Sequence, residues 1–257
     1  MIRLIASDID GTLLQNGATK IPQEIFSHIR RLEKKGILFC PASGRQYSSF
    51  QRLFAPVADK VSFLCENGGA VYGPGNPGPL LSKTVMDRQL SEELCQDVLA
   101  LPGIEVLISG VNTAYLCPKR PGVEEEVRWF LGYNTVIISD PADVPEDIVK
   151  VSVYCPNGTL AATQAVLFPK WERHFKAAVA GEVWMDFTLA DKGTGLSQLC
   201  KALDISLEDV IAFGDNYNDL PMLERVGHPY LMENAAPELK AHIPTCCRTV
   251  MEILETL

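Results

Sequence analysis

The chain has 257 residues, 47% hydrophobic and 21% charged, with 23 Lys and Arg against 32 Asp and Glu for a formal charge of −9. That is enough apolar material for a core without disulfide or metal staples, in one large domain or two modest ones. A surface of that sign repels the nucleic-acid backbone and anionic lipid, so neither is an expected partner.

The N-terminal apolar run is ended by Asp8 and Asp10. It is too short for a secretory signal, and no stretch approaches bilayer-spanning length, so the expected location is the cytoplasm. The cysteines (Cys40, Cys65, Cys95, Cys117, Cys155, Cys200, Cys246 and Cys247) are scattered, with no Cys-x-x-Cys pair. They read as reduced thiols, several of them acting as small hydrophobes in apolar runs.

In chain order, residues 2–7 read as a buried strand and residues 22–35 as a helix. Pro22 fits its first turn, Ile25, Ile29 and Leu32 share one face, and Gly36 follows as C-cap. Strands at 37–40 and 61–65 flank a helix at 47–54. This alternation predicts a parallel sheet with right-handed crossovers. The breaker-rich run at 73–79 then predicts a loop at the edge of a domain.

Beyond it, strands are expected at 106–108, 114–117, 136–138, 149–154, 175–179 and 183–189, with helices near 91–101, 123–131 and 159–168. That mixture predicts an α+β module with a largely antiparallel sheet. From Lys192 the first pattern resumes: a helix to 203, a strand at 210–213, a helix at 220–226, a short strand at 230–232 and two terminal helices. The expectation is an α/β core split by an inserted domain.

Four motifs stand at the ends of core strands or the starts of core helices, the edge where open α/β sheets bind ligands. In Asp8-Ile9-Asp10-Gly11-Thr12-Leu13 two carboxylates lie two residues apart, just past a buried strand. Their repulsion is relieved by a hard cation such as Mg²⁺ or by a shared proton; alone, the stretch reads equally as a solvated turn. Ser43-Gly44-Arg45 offers a hydroxyl, close backbone approach and free helix N–H groups, or simply a helix cap.

Lys192 opens a helix against the macrodipole, so an anion is expected to hold it unless it is merely exposed. The glycines beside it match no nucleotide loop. Gly214-Asp215-Asn216-Tyr217-Asn218-Asp219 adds acids and amides at the same edge, repulsive beside Asp8 and Asp10 without a metal. Together the four fit a phosphoryl-transfer site.

At these residues the sequence resembles the haloacid dehalogenase superfamily, in its Cof-like sugar-phosphatase branch (type IIB, with a C2-type cap). That branch shows D-x-D-G-T-L, S/T-G-R, K-G and G-D-x-x-N-D-x-x-M-L. Here the last of these runs from Gly214 to Met222-Leu223, and Glu66-Asn67-Gly68-Gly69 and residues 233–240 are further matches. The resemblance implies an α/β fold: a Rossmann-like parallel-sheet core over residues 1–82 and 189–257, and an inserted α+β cap domain over 83–188 that sets substrate specificity.

It also implies a Mg²⁺-dependent phosphatase for a small phosphorylated metabolite, acting as a monomer or homodimer. Asp8 would be the nucleophile and Asp10 the general acid/base. Asp8, the backbone carbonyl of Asp10 and Asp215 would hold Mg²⁺. The Ile9 N–H, Ser43, Gly44, Lys192 and Asn218 would hold the phosphate, supported by Arg45 and Asp219. A phosphomutase, a stable phosphoacceptor and a sugar-phosphate sensor are the rival readings. Pro41-Ala42 and the bulky stretch 227–232 depart from the branch's pattern, the latter in packing rather than chemistry. In the cap, Trp129, Trp171, Trp184, Lys119, Arg120 and Arg128 are candidate substrate contacts, each readable as core or solvated surface.

Overall fold

The structure, a computed structural model, describes residues 1–131 and 134–257, at 128–131 the backbone alone. The chain forms two compact units, Met1–Lys83 with Asp191–Leu257, and Thr84–Ala190 between them in sequence.

The first unit begins with β1 (Leu4–Asp8), α1 (Gln23–Glu33), β2 (Leu38–Ala42), α2 (Tyr47–Leu53), β3 (Phe63–Cys65), β4 (Ala70–Tyr72) and β5 (Leu80–Lys83). The inserted unit holds α3 (Arg88–Ala100), β6 (Glu105–Ser109), β7 (Ala114–Cys117), α4 (Val123–Leu131), β8 (Thr135–Ile137), β9 (Lys150–Tyr154), α5 (Leu160–Trp171), β10 (Lys176–Ala180) and β11 (Trp184–Thr188). The first unit then resumes with α6 (Lys192–Ala202), β12 (Val210–Gly214), α7 (Leu220–Leu223), β13 (His228–Met232), α8 (Pro237–His242), β14 (Cys246–Cys247) and α9 (Val250–Leu254).

Among the described residues the first unit's sheet runs β14-β13-β12-β1-β2-β3-β4-β5. It is parallel from β14 to β3 and antiparallel through β4 and β5. β1 and β12 are buried along their whole length, which suits their continuous apolar runs to a sheet covered on both faces. Pairing of Asp8 with Ala42 and of Ser7 with Phe213 brings the carboxyl ends of β1, β2 and β12 level. The turns that carry the motifs therefore leave the sheet side by side.

Two elements depart from the expected pattern. The breaker-rich run at 73–79 does not lie at a domain edge. It turns the β4–β5 hairpin, and the division between units falls after it at Lys83. Tyr47 secures this turn: its ring stacks on Tyr72 at 3.9 Å, and its hydroxyl accepts a 2.6 Å hydrogen bond from the Gly78 N–H. At the far edge, Cys246–Cys247 adds a short strand against Leu231 and Met232 where only terminal helices were expected.

In α1 the buried residues Ile25, Phe26, Ile29 and Leu32 form the stripe that packs it on the sheet. Beneath α2, Phe50, Phe54 and Phe63 pack as an aromatic cluster with centroids 5.4–6.3 Å apart.

The inserted unit is a sheet in the order β10-β11-β9-β6-β7-β8, antiparallel except for β7 beside β8. Strand alternation divides its side chains. Val106, Ile108, Val151, Val153, Met185 and Phe187 meet α3 and α5 in the main apolar cluster, while Leu107, Leu116 and Tyr154 pack against Val123 and Val127 of α4. Trp171 belongs to the first cluster, its indole N–H donating to Asp97 at 2.9 Å, and Trp184 lies against Tyr154. Lys119 donates to the carbonyls of Leu99 and Leu101, and Arg120 pairs with Glu126 at 2.6 Å. All four are thus engaged within their own unit; the side chains of Arg128 and Trp129 lie outside the described residues.

All eight cysteines are free thiols, and only Cys246 is exposed. No described helix is long and apolar enough to cross a membrane.

Phe63 is fully buried in the aromatic cluster. Phe63→Ala should therefore lower the unfolding free energy by about 3–5 kcal/mol, read in a urea titration as an earlier midpoint. A midpoint within error of the parent would mean that the cluster does not hold α2 to the sheet.

Candidate active site

β1 delivers Asp8 at its carboxyl end, where the residue is 6% exposed. From α6 the Lys192 ammonium, 1% exposed, reaches Asp8 Oδ1 at 2.5 Å and Asp219 Oδ1 at 2.6 Å. A fully buried ammonium is tolerated only when paired, and here two carboxylates from separate chain segments pair it. The local sequence prepares the position. Asp191 caps α6, its carboxylate accepting from Thr194 N at 2.6 Å while Thr194 Oγ1 accepts from Asp191 N at 2.9 Å. Gly195 lets the helix approach the turn after β3, since a Cβ there would lie 2.6 Å from Gly68 Cα.

Asp219 ends the short helical turn Tyr217–Asp219 and is fully buried. Its Oδ2 accepts from the N–H groups of Asp215 and Asn216, both at 3.0 Å. One carboxylate thus fixes the lysine and folds the loop that presents Asp215. Thr12 donates to Asp215 Oδ1 at 2.9 Å, tying that loop to the turn after β1. Gly11 makes the approach possible: its φ is +99°, and a Cβ there would sit 2.2 Å from Asp215 Oδ2. The turn closes on itself through Gly11 N to Leu14 O at 2.9 Å and Leu14 N to Ile9 O at 2.7 Å, and Asn234 Nδ2 donates to Gly11 O at 3.2 Å.

Asp10 faces the other way. Its side chain is 57% exposed, and Arg45 grips it with Nη2 to Oδ1 at 2.8 Å and Nε to Oδ2 at 3.2 Å. Ser43 is buried at the end of β2, with its carbonyl accepting from Asn67 N at 3.0 Å. Gly44 lies against the Asn67 side chain, where a Cβ would come 3.1 Å from Nδ2. Ile9 is fully buried between the two acids. Asn218 is exposed on the same helical turn as Asp219.

The structure therefore gathers Asp8, Lys192, Asp215 and Asp219 into one cluster and joins Asp10 to Arg45. Lys192 is neither exposed nor free, and the anions that hold it against the helix macrodipole are carboxylates of the chain itself. Asp219 takes a central place that its bare position in the motif did not convey. Its place in the last motif had marked it only as a support for the phosphate site.

Electrostatically the cluster is short of positive charge. Burial pushes the Asp8 carboxyl up to about 7; Lys192 opposes this, and Asp219 and Asp215 add to it. Burial also raises Asp215, against the Thr12 hydrogen bond. For Lys192 burial acts downward, but Asp219 and Asp8 outweigh it and hold the ammonium protonated, above its usual range.

Single oxygens of Asp8, Asp215 and Asp219 lie within 4.8 Å of one another. Asp8 Oδ2 is buried, and no described donor reaches it. A hard divalent cation fits such a set, because it satisfies the orphaned oxygen and offsets the surplus negative charge.

The profile of the haloacid dehalogenase-like hydrolases matches residues 5–252, and the chain belongs to that family. It is 29% identical to the 5-amino-6-(5-phospho-D-ribitylamino)uracil phosphatase of Escherichia coli, over 93% of this chain and 88% of that one. A crystal structure of a protein from Eubacterium rectale superposes with a TM-score of 0.87 at 31% identity, covering 99% of this chain and 98% of that chain. A HAD subclass IIB sugar phosphatase superposes with a TM-score of 0.75 at 17% identity over 99% of this chain and 97% of that one, a likeness in fold. The chain is a phosphatase of this family, and two of the curated relatives it matches, the Escherichia coli protein and the HMP-PP phosphatase of Serratia proteamaculans, are named for small phosphorylated metabolites.

Asp219→Ala would leave Lys192 with one carboxylate and two loop N–H groups without an acceptor. Thermal unfolding should show a loss of roughly 3–5 kcal/mol, the usual result of removing one partner from a buried pair. A loss under about 1 kcal/mol, the scale of an exposed pair, would show that Asp219 does not brace the site.

Proposed function

We propose that the protein hydrolyses a phosphate monoester of a sugar or sugar alcohol through an aspartyl-phosphate on Asp8, with Mg²⁺ as cofactor. The observation that carries this reading is a buried carboxylate held on one oxygen by Lys192 and left without a donor on the other. The sugar-alcohol preference rests on the ribityl phosphate named for the Escherichia coli relative.

Lys192 offsets charge on the phosphoryl oxygens and keeps the Asp8 carboxylate oriented for in-line attack. The bond from phosphorus to the leaving oxygen breaks as the bond to Asp8 forms. Asp10, at the solvent side, gives a proton to the leaving alkoxide, then takes one from the water that attacks the aspartyl-phosphate as the phosphorus–Asp8 bond breaks, releasing phosphate and the Asp8 carboxylate. Ser43, Gly44, Asn218 and the Ile9 N–H are proposed to bind the phosphate oxygens. Asp8, Asp215 and the Asp10 carbonyl would hold Mg²⁺, which when bound neutralises phosphoryl charge. Asp219 serves as a brace in this scheme, because Lys192 and two backbone N–H groups already occupy its oxygens. The inserted unit is proposed as the cap that selects the substrate, and the free thiols suit the reducing cytoplasm.

Asp8→Asn is nearly isosteric and cannot attack phosphorus, so phosphate release should fall roughly 10³-fold or more with the circular dichroism spectrum unchanged. Activity within about tenfold of the parent would remove Asp8 as nucleophile. Asp10→Asn should cut turnover by about 10²–10⁴-fold and leave Mg²⁺ affinity nearly intact, because the proposed ligand there is a backbone carbonyl. Asp215→Ala should lose most of that affinity. A collapse of Mg²⁺ binding in both variants would contradict the separation of roles.

Dialysis against EDTA should abolish turnover of a panel of sugar phosphates, and Mg²⁺ should restore it. The pH dependence has a definite sign. Asp8 rises from 3.8 to about 7 on folding, so the stability it lends the metal-free protein is complete below pH 3.8 and is lost as pH rises through about 7. Mg²⁺, which needs ionised carboxylates, should raise the melting temperature more above pH 7 than below it. A shift independent of pH would place the ion away from Asp8.

A further inference from the structure

Beside Arg45 the first unit carries a concavity lined by none of the four clustered residues Asp8, Lys192, Asp215 and Asp219. It is an open cleft of about 500 Å³ between the loop before α1, α1 itself and α2. Lys20, Arg45 and Arg52 line it, with Gln23 and Ser49 as neutral donors and Phe26 contributing an apolar wall. No carboxylate is among the lining residues, on a chain whose formal charge is −9. The volume suits a small organic molecule.

Two of these cations have capacity to spare. Lys20 is exposed, and its ammonium has no partner among the described residues. Arg45 uses Nε and Nη2 on Asp10, while no described acceptor takes its Nη1. A guanidinium has five N–H donors in one rigid plane, so a single Arg45 can face an anion and Asp10 together, and a pull on one face alters its grip on the other.

We propose that this cleft binds an anionic group, a carboxylate or phosphate carried on a small apolar body, and that Arg45 couples its occupancy to Asp10. The anion can come from two sources: the far end of the substrate itself, or a separate small molecule. In both, Lys20 and Arg52 supply charge and Phe26 the apolar contact. Drawing Arg45 toward the cleft loosens the carboxylate that moves the proton, so a bound anion changes kcat. An anion competing at Asp8 changes KM alone.

The probe for a separate anion is benzoate, titrated calorimetrically and added to p-nitrophenyl phosphate turnover. The probe for a substrate-borne anion is the ratio of kcat/KM for a hexose bisphosphate over its monophosphate. Both are measured on the full chain and on Lys20→Glu, with Lys20→Glu/Arg52→Gln as a second variant and the melting temperature as a check on folding. If the source is separate, benzoate binds the parent and shifts kcat, and Lys20→Glu weakens that binding by about tenfold, the scale of one close charge contact. If the source is the substrate, the bisphosphate preference falls by a similar factor in Lys20→Glu while benzoate is inert. The proposal is overturned if benzoate is silent or purely competitive and the preference is the same in the parent and in both folded variants.

Discussion

The buried ammonium of Lys192 governs the architecture of the first unit. It comes from the first turn of α6 and is met by Asp8 from the end of β1 and Asp219 from the turn after β12. An uncompensated charge in that position would be prohibitive, so three segments far apart in sequence are held to one arrangement. Asp219 passes the constraint to the N–H groups of Asp215 and Asn216, and Asp215 passes it through Thr12 to the turn that carries Asp10. Glycine enters where this network needs backbone rather than side chain, at Gly11 under Asp215 and at Gly195 against Gly68.

The two acids of the first motif illustrate how environment separates like groups. Asp8 is buried among carboxylates and one ammonium, and its proton affinity rises. Asp10 is exposed and paired with Arg45. Ile9, fully buried between them, anchors the turn so that one carboxylate points into the unit and the other out. Pairs of carboxyl groups in unlike surroundings are a recurrent basis for dividing an attacking role from a proton-carrying one. Arg45 stands at the junction, joining this acid to the cationic cleft behind it.

The inserted unit is built on a different principle. Its sheet is antiparallel apart from one pair of strands, and its face under α3 and α5 is apolar. Part of the opposite face carries buried polar groups, with Lys150 3.5 Å from Asp186 and Ser152 donating to Asp186 at 2.6 Å. Lys119 and Arg120, which the bare sequence left readable as ligand contacts, core or solvated surface, are engaged by carbonyl and carboxylate partners within the unit. Long cationic side chains commonly find such local acceptors, and composition alone gives no sign of which will do so.

Much was determined by sequence alone. Continuous apolar runs fixed β1 and β12 as buried strands, and alternation with amphipathic helices fixed a parallel sheet, because local periodicity is a property of neighbouring residues. The four motifs, read together, pointed to one edge of that sheet, where Asp8, Lys192 and Asp215 do come together. What the tertiary structure decided depended on partners remote in the chain. The run at 73–79 could be read only as a break until Tyr47 and β5 showed it to be a hairpin turn inside the unit. Asp219 was a supporting residue of the last motif until burial and Lys192 made it a brace. The cation expected to need an anion at the start of α6 found two, and neither is near it in sequence, because what stabilises a buried charge is set by three-dimensional proximity rather than by spacing along the chain.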